Sequence, residues 1–364
     1  MGTQVMEYKA ESNGLLWPTA SAGRPVERQT AGERHLVANP QEFREKFNAR
    51  PFLFHHDLAE SELFTLPRLA AVAERMLARG DLKKFVARSG KSALADAKFK
   101  SMPLQAQLAE TVRQLADANV WLKLSSVDTA DPEYDQLKKR VLRELEELSG
   151  QPLRESITWS SVTVFMASPG VTTPYHIDHE SNFLFQIRGA KELSLHNPNE
   201  RDIVPEDQLE RFYAGDFEAA EYRPEMQSRG TMFHLVPGAV VHHPPLAPHW
   251  VQNGNNVSVS VSIGFCMRPL DRRARVYQVN HYLRRVGLRP TPPGRSKLRD
   301  AVKMAAVGIF SKRNPSTPDE ILFSGLRRFS APPRALKRWV RSLRHWSAGV
   351  RAHVPNLRGH GPPQ

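Results

Sequence analysis

The sequence predicts an α+β chain with a mainly β core, an antiparallel sandwich or barrel flanked by helices. Three observations predict it. Between Ile157 and about Met267 short alternating runs such as SITWSSVTVFMASPG and NVSVSVSIGF are broken by Pro, Gly and Asn. Residues two apart on a strand share a face, so runs of this kind build half-buried strands. From about 39 to 152, apolar residues recur at three and four spacing in PQEFREKFNA, LPRLAAVAERMLARG, QAQLAETVRQLADA and PEYDQLKKRVLRELEELSG. That is a helical period, and Gly80 and Gly150 stand where helices stop. After about Leu288 the segment TPPGR marks a linker.

Four regions follow: an irregular lead-in over 1–38, a helical region over 39–152, the barrel over 153–288 and a helical tail over 289–364. Within the second, PFLFHH and VWLKLSSV have strand character and are expected to pack on the barrel. The chain has 364 residues, 40% hydrophobic and 24% charged, an ordinary globular balance. Its net charge of +13 is concentrated in the tail, where sixteen Lys and Arg from Arg289 onward face only Asp300, Asp319 and Glu320. The first 288 residues are therefore formally neutral, and the tail is a basic appendage. Cys266 is the only cysteine, which excludes an internal disulfide and a Cys-based zinc site. No apolar run approaches the roughly 20 residues of a membrane span. The start, MGTQVMEYKAESNG, lacks the segments of a signal peptide, and Met6 stands where a myristoylation motif needs Ser or Thr. A cytoplasmic protein is expected.

The chemistry is concentrated in TTPYHIDHESNFLFQIRGAKELSLHNP. On a strand His176 and Asp178 project into one space. An imidazole and a carboxylate side by side are two thirds of a facial triad, a donor set that suits Fe(II) and leaves coordination positions open. A lone His-x-Asp carries little by itself, and a third ligand has to come from elsewhere. The segment PGAVVHHPPLAPHWVQNGNNVSVSVSIGF offers His242, His243 and His249. His249 is preferred because it opens a strand just before the Asn253–Gly254 turn, whereas His242 and His243 read as a strand end facing solvent or the barrel mouth. Alternation after the turn at Arg188-Gly189-Ala190 puts Lys191 on the face of Leu193 and Leu195. An ammonium aimed inward needs an anionic partner, which a bound dicarboxylate would supply. A one-residue slip at the turn would leave it solvated instead. Phe183 and Phe185 are expected to pack the outside of the barrel against helices.

The stretches Thr173–Pro198 and Pro237–Phe265 resemble the JmjC and cupin-like Fe(II)/2-oxoglutarate oxygenases, especially the protein hydroxylases related to the asparaginyl hydroxylase of hypoxia-inducible factor. The likeness covers about 110 residues, with a weaker echo in FREKFNARPFLFHH. It implies a double-stranded β-helix, the jelly-roll or cupin barrel. It also implies iron ligation by His176, Asp178 and His249, and 2-oxoglutarate contacts from Thr173 and Lys191 with Asn182 nearby. The co-substrate would become succinate and CO2 while a protein side chain or small molecule is hydroxylated. Ala239 stands where the family usually has Asp or Glu, and Ala247 and Pro248 where it usually has Trp, so the substrate cleft differs.

Two other classes stay open: a cupin metalloenzyme that does not use 2-oxoglutarate, and a non-catalytic binding protein in which the tail does the work. In RALKRWVRSLRHWSAGVRAHV, Leu336, Trp339, Val340, Leu343, Trp346 and Val350 share one helical face, with Arg and Lys opposite. Docking on the barrel or homodimerisation through this helix is the favoured role; nucleic acid, a ribosome-like assembly or another acidic surface comes next, and a membrane last. AVKMAAVGIF is expected to be a packed helix.

Overall fold

The structure is a computed structural model and describes residues 34–89, 108–308, 320, 322 and 323. The elements below all belong to one unit that begins at His35. Its centre is a pair of antiparallel sheets built from twelve strands: β1 (Leu36–Val37), β2 (Phe52–His56), β3 (Phe85–Ser89), β4 (Val120–Leu124), β5 (Ile157–Ala167), β6 (Thr172–His176), β7 (Ser181–Arg188), β8 (Lys191–Leu195), β9 (Thr231–Leu235), β10 (Ala239–His243), β11 (His249–Asn253) and β12 (Ser258–Met267). Eight strands form one sheet in the order β1-β2-β10-β7-β12-β5-β4-β3, and four form the other in the order β6-β11-β8-β9. Six of the ten described strand pairs join strands that are not consecutive in the sequence, so the core closes only when distant segments meet. The α+β class with a mainly β core is as predicted.

Alternation along the central strands separates two apolar environments. Phe183, Phe185, Ile187, Val259, Val261, Ile263 and Phe265 point out of the sandwich and pack with the helices. These are α1 (Pro40–Lys46), α2 (Leu66–Ala78), α3 (Leu108–Arg113) and α4 (Pro132–Ser149), followed by the single turn α5 (Leu153–Ser156). Phe43 of α1 stacks on Phe183 with ring centroids 6.0 Å apart, and Phe47 and Phe54 complete the aromatic layer. Phe183 and Phe185 thus have the outward packing role expected of them. Between the sheets a smaller cluster joins Leu184 and Val241 of the large sheet to Leu193, Leu195, Leu235 and Val251 of the small one. The N-terminal end of this unit is tied down by Glu144 of α4, whose carboxylate accepts from the amides of His35 and Leu36 at 2.8–3.0 Å.

Local chemistry sets the helix ends. Asn39 caps α1 through Oδ1 on the amides of Gln41 and Glu42, and Asp131 caps α4 on that of Glu133. Gly150 ends α4 at φ +67, a left-handed conformation that costs glycine little.

Two helices lie inside the predicted barrel segment: α6 (Glu206–Tyr213) and α7 (Arg268–Arg285). They are joined by a two-pronged ion pair from Arg284 to the buried Glu210, at 2.7 and 2.9 Å. The linker at TPPGR leads into α8 (Lys297–Gly308), which carries most of the predicted AVKMAAVGIF helix. The tail helix of Leu336 to Val350 lies outside the described residues, as does the lead-in up to residue 33; the last residues of the lead-in hold the strand β1. Among the described residues no helix is long and apolar enough to cross a membrane.

Candidate metal centre

The site lies between the sheets, where the register aligns residues from three strands of the small sheet. His249 pairs with His176 on one side and with Leu195 on the other; Val251 pairs with Thr173 and Leu193; Asn253 pairs with Lys191. Paired residues share a face, so His176, His249, Thr173 and Lys191 all point between the sheets with Leu193 and Leu195. The donor atoms of His176, Asp178 and His249 gather within 4.8 Å of one another. Asp178 Oδ2 stands 3.9 Å from His176 Nε2 and 3.7 Å from His249 Nε2. Bonds of about 2.1 Å to one ion place its ligands roughly 3–4 Å apart, so these side chains can hold a divalent cation with small adjustments.

Hydrogen bonds aim both imidazoles. His176 donates from Nδ1 to the carbonyl of Pro174 at 2.7 Å, and His249 donates from Nδ1 to that of Ala247 at 3.0 Å. The same device, a carbonyl two residues upstream, leaves each Nε2 as a lone-pair donor facing Asp178. Burial works against ionisation of Asp178, but His176, His249, Lys123 and His179 outweigh it and hold the carboxyl below its usual range. Burial, reinforced by His176, pushes His249 down to about 4, so the imidazole is neutral and ready to bind a metal at pH 7. Leu246, in the left-handed region at φ +63, gives its amide to the carbonyl of Asp178 at 2.8 Å and so braces the ligand loop.

Lys191 is 7% exposed, and no hydrogen bond or ion pair from the described residues reaches its ammonium. Burial alone lowers its ammonium to about 7. The inward placement is the costly one, and it follows from a sharp two-residue turn. Gly189, at φ +71, has no room for a side chain, since a Cβ there would lie 2.4 Å from the carbonyl oxygen of Val257. Thr173 is buried on the same face, one strand beyond β11. Asn182 is buried on the large sheet, where its Oδ1 accepts from Ser262 Oγ at 2.6 Å.

The structure corrects the reading of His242 and His243, neither of which faces solvent. His242 lies outside the sandwich in the aromatic layer, stacked 4.4 Å from Phe183. Its Nε2 accepts from the amide of Asn48 and its Nδ1 donates to the carbonyl of Asn182. His243 alternates to the inside, with its ring edge-on to His249 at 4.8 Å. Burial, together with His249, His242, His176 and Lys191, holds it well below the usual range and therefore neutral.

Other residues around the centre carried no sequence signal. Glu180 lies two positions beyond Asp178, and burial with the repulsion of Asp178 pushes its carboxyl up. Next to the ligand loop, His179 donates from Nε2 to Asp271 of α7 at 3.0 Å and accepts from the Tyr213 hydroxyl at 2.8 Å. Thr158 donates to the other oxygen of Asp271 at 2.6 Å. His179, Cys266 and Asp271 bring their donor atoms as close together as the triad does. His179 and Asp271 are hydrogen-bonded to each other, however, and burial keeps the Cys266 thiol protonated, so we read His179 and Asp271, with Tyr213 and Thr158, as a polar clamp that fixes the loop bearing Asp178.

Two antiparallel sheets enclosing a His-x-Asp and a distant His define a cupin-type metal-binding domain. The family described as the cupin-like domain matches residues 27–271, and the chain belongs to that family. No curated protein matches the chain. Among solved structures, it is similar to the Escherichia coli ribosomal oxygenase YcfD in complex with cobalt and 2-oxoglutarate. That likeness has 15% identity and a TM-score of 0.44, over 85% of this chain and 71% of that one. The complex of YcfD with cobalt and succinic acid gives 16% identity and a TM-score of 0.42 over the same shares. A further structure of E. coli YcfD gives 16% and 0.46, over 80% of this chain and 79% of that one. Likenesses at this level carry no argument about the site, whose chemistry rests on the side chains described above.

Proposed function

We propose that this chain is an Fe(II)- and 2-oxoglutarate-dependent oxygenase of the hydroxylase type, acting on a protein side chain or a small molecule. The observation that carries the reading is a donor set of two imidazoles and one carboxylate facing the same enclosed space as a buried ammonium that has no counterion among the described residues. Two imidazoles and one carboxylate suit Fe(II) and leave positions for a chelating co-substrate. A cupin enzyme that bound only a metal would leave Lys191 buried without a partner, an arrangement whose cost calls for compensation.

With both groups bound, Fe(II) and 2-oxoglutarate would supply oxidative decarboxylation by dioxygen, one oxygen atom ending in succinate as CO2 leaves and the other entering a C–H bond of the substrate. The chain's own residues would do the positioning. His176, Asp178 and His249 would hold the metal through the three donor atoms they bring together. Lys191 pairs with the far carboxylate of the co-substrate and Thr173 donates to it, contacts whose strength is assisted by charge. Leu193 and Val251, between them, give the methylene spacer an apolar wall.

The test is succinate release from 2-oxoglutarate by purified protein with Fe(II) and ascorbate. The wild type should turn over, His176→Ala should abolish turnover, and Lys191→Ala should act mainly through co-substrate KM. Equal succinate formation by all three would overturn the proposal.

A further inference from the structure

Buried polar groups in folded proteins are almost always hydrogen-bonded, so an exception asks for an explanation. His243 is such an exception at the centre of the molecule. It is 4% exposed, both of its ring nitrogens are shut off from solvent, and neither has a hydrogen-bond partner among the described residues. A neutral imidazole carries one N–H donor and one lone pair, so both capacities are unused. His242, the preceding residue, has both of its nitrogens satisfied by backbone groups. The contrast is between two neighbouring histidines on opposite faces of β10, one completed by the protein and one not.

Where His243 points narrows the missing partner. It closes β10 opposite Asn182 and meets the ring of His249, so it lies at the metal end of the enclosed space. Lys191 lies at the other end, four residues along β8 from Leu195, the neighbour of His249; that is roughly 13 Å of strand, which its own long side chain shortens. His243 is not a fourth metal ligand by position: among the described residues, His176, Asp178 and His249 are the ones that bring their donor atoms together there.

We propose that His243 is a co-substrate contact: its ring N–H donates a hydrogen bond to the carboxylate at the 2-oxo acid end of 2-oxoglutarate, the end opposite Lys191. This rests on the oxygenase reading above and adds a specificity-determining residue to it. The hydrogen bond fixes the rotation of the chelating end about the metal, while Lys191 fixes the distal end.

The experiment is anaerobic titration of 2-oxoglutarate into Fe(II)-loaded protein, followed by the metal-to-ligand charge-transfer absorption, with Fe(II) affinity measured separately by calorimetry. His243→Leu should weaken 2-oxoglutarate binding by about tenfold to a hundredfold, the range that hydrogen bonds to charged acceptors span, while Fe(II) affinity stays within about twofold. His243→Gln, which restores an N–H near the same place, should recover most of the loss. Thermal denaturation of each variant reports folding, and His243→Phe replaces the leucine variant if that does not fold. Wild-type binding of 2-oxoglutarate by His243→Leu would overturn the inference and leave the oxygenase reading intact. Loss of Fe(II) to the degree seen with His249→Ala would also overturn it, making His243 a metal ligand. No charge-transfer band in the wild type would remove the oxygenase reading itself.

Discussion

Asp178→Ala is expected to lower Fe(II) affinity by well over a hundredfold and to end succinate formation. Loss of a residue that only orients a ligand already costs about ten to a hundredfold in metal affinity, and Asp178 is placed as a ligand itself. It is also the one anion of the three, so its removal would leave a dication facing two neutral imidazoles. The variant should fold, because the side chain is half-buried and the carbonyl that braces Leu246 belongs to the backbone. Equilibrium Fe(II) titration under anaerobic conditions checks this. Affinity within tenfold of the wild type would mean that the carboxylate is not in the metal's coordination shell.

Lys191→Met should have two large effects of opposite sign. Truncating one partner of a buried charge pair typically costs about 2–5 kcal/mol, so 2-oxoglutarate affinity should fall by at least about thirtyfold. Without metal and co-substrate, the same variant should be more stable than the wild type at pH 7. Burial lowers the ammonium from 10.5 to about 7 in the folded chain, so between those values the unfolded chain binds the extra proton. Wild-type stability therefore rises as pH climbs from about 7 toward 10.5, and the cost of burying the charge is fully present below about 7. A shift of that size corresponds to at most about 4 kcal/mol at pH 7, and the methionine variant should lack this pH dependence. Urea denaturation of the metal-free proteins at pH 7 and pH 9 measures both quantities. A less stable Lys191→Met, or a wild type whose stability is flat over that window, would show that the ammonium is compensated within the protein.

What the sequence made legible follows from what repeats at short range. The strands from Ile157 to Met267 alternate cleanly because one face packs on helices and the other lines the space between the sheets. His176 and Asp178 could be placed together because they lie two apart, and Lys191 could be faced inward by counting from its turn. Helix α7 was illegible for the opposite reason. It buries Asp271, Gln278 and Asn280 beside Ala274, Val276 and Tyr277, so no apolar stripe survives. Their side-chain amides donate to remote partners, Gln278 to the carbonyl of Leu322 and Asn280 to that of Thr291. The clamp on His179 is equally hidden, since Asp271 lies 92 positions away. His242 and His243 look alike in sequence, and only the strand's pleat sends one to the aromatic layer and the other to the metal end.

X-ray absorption at the iron edge of the anaerobic Fe(II)-loaded protein counts the imidazoles on the metal directly. Two should be present in the wild type and one in either His176→Ala or His249→Ala, with light N/O donors completing the shell. An imidazole count that both substitutions leave unchanged would contradict the assignment of this centre.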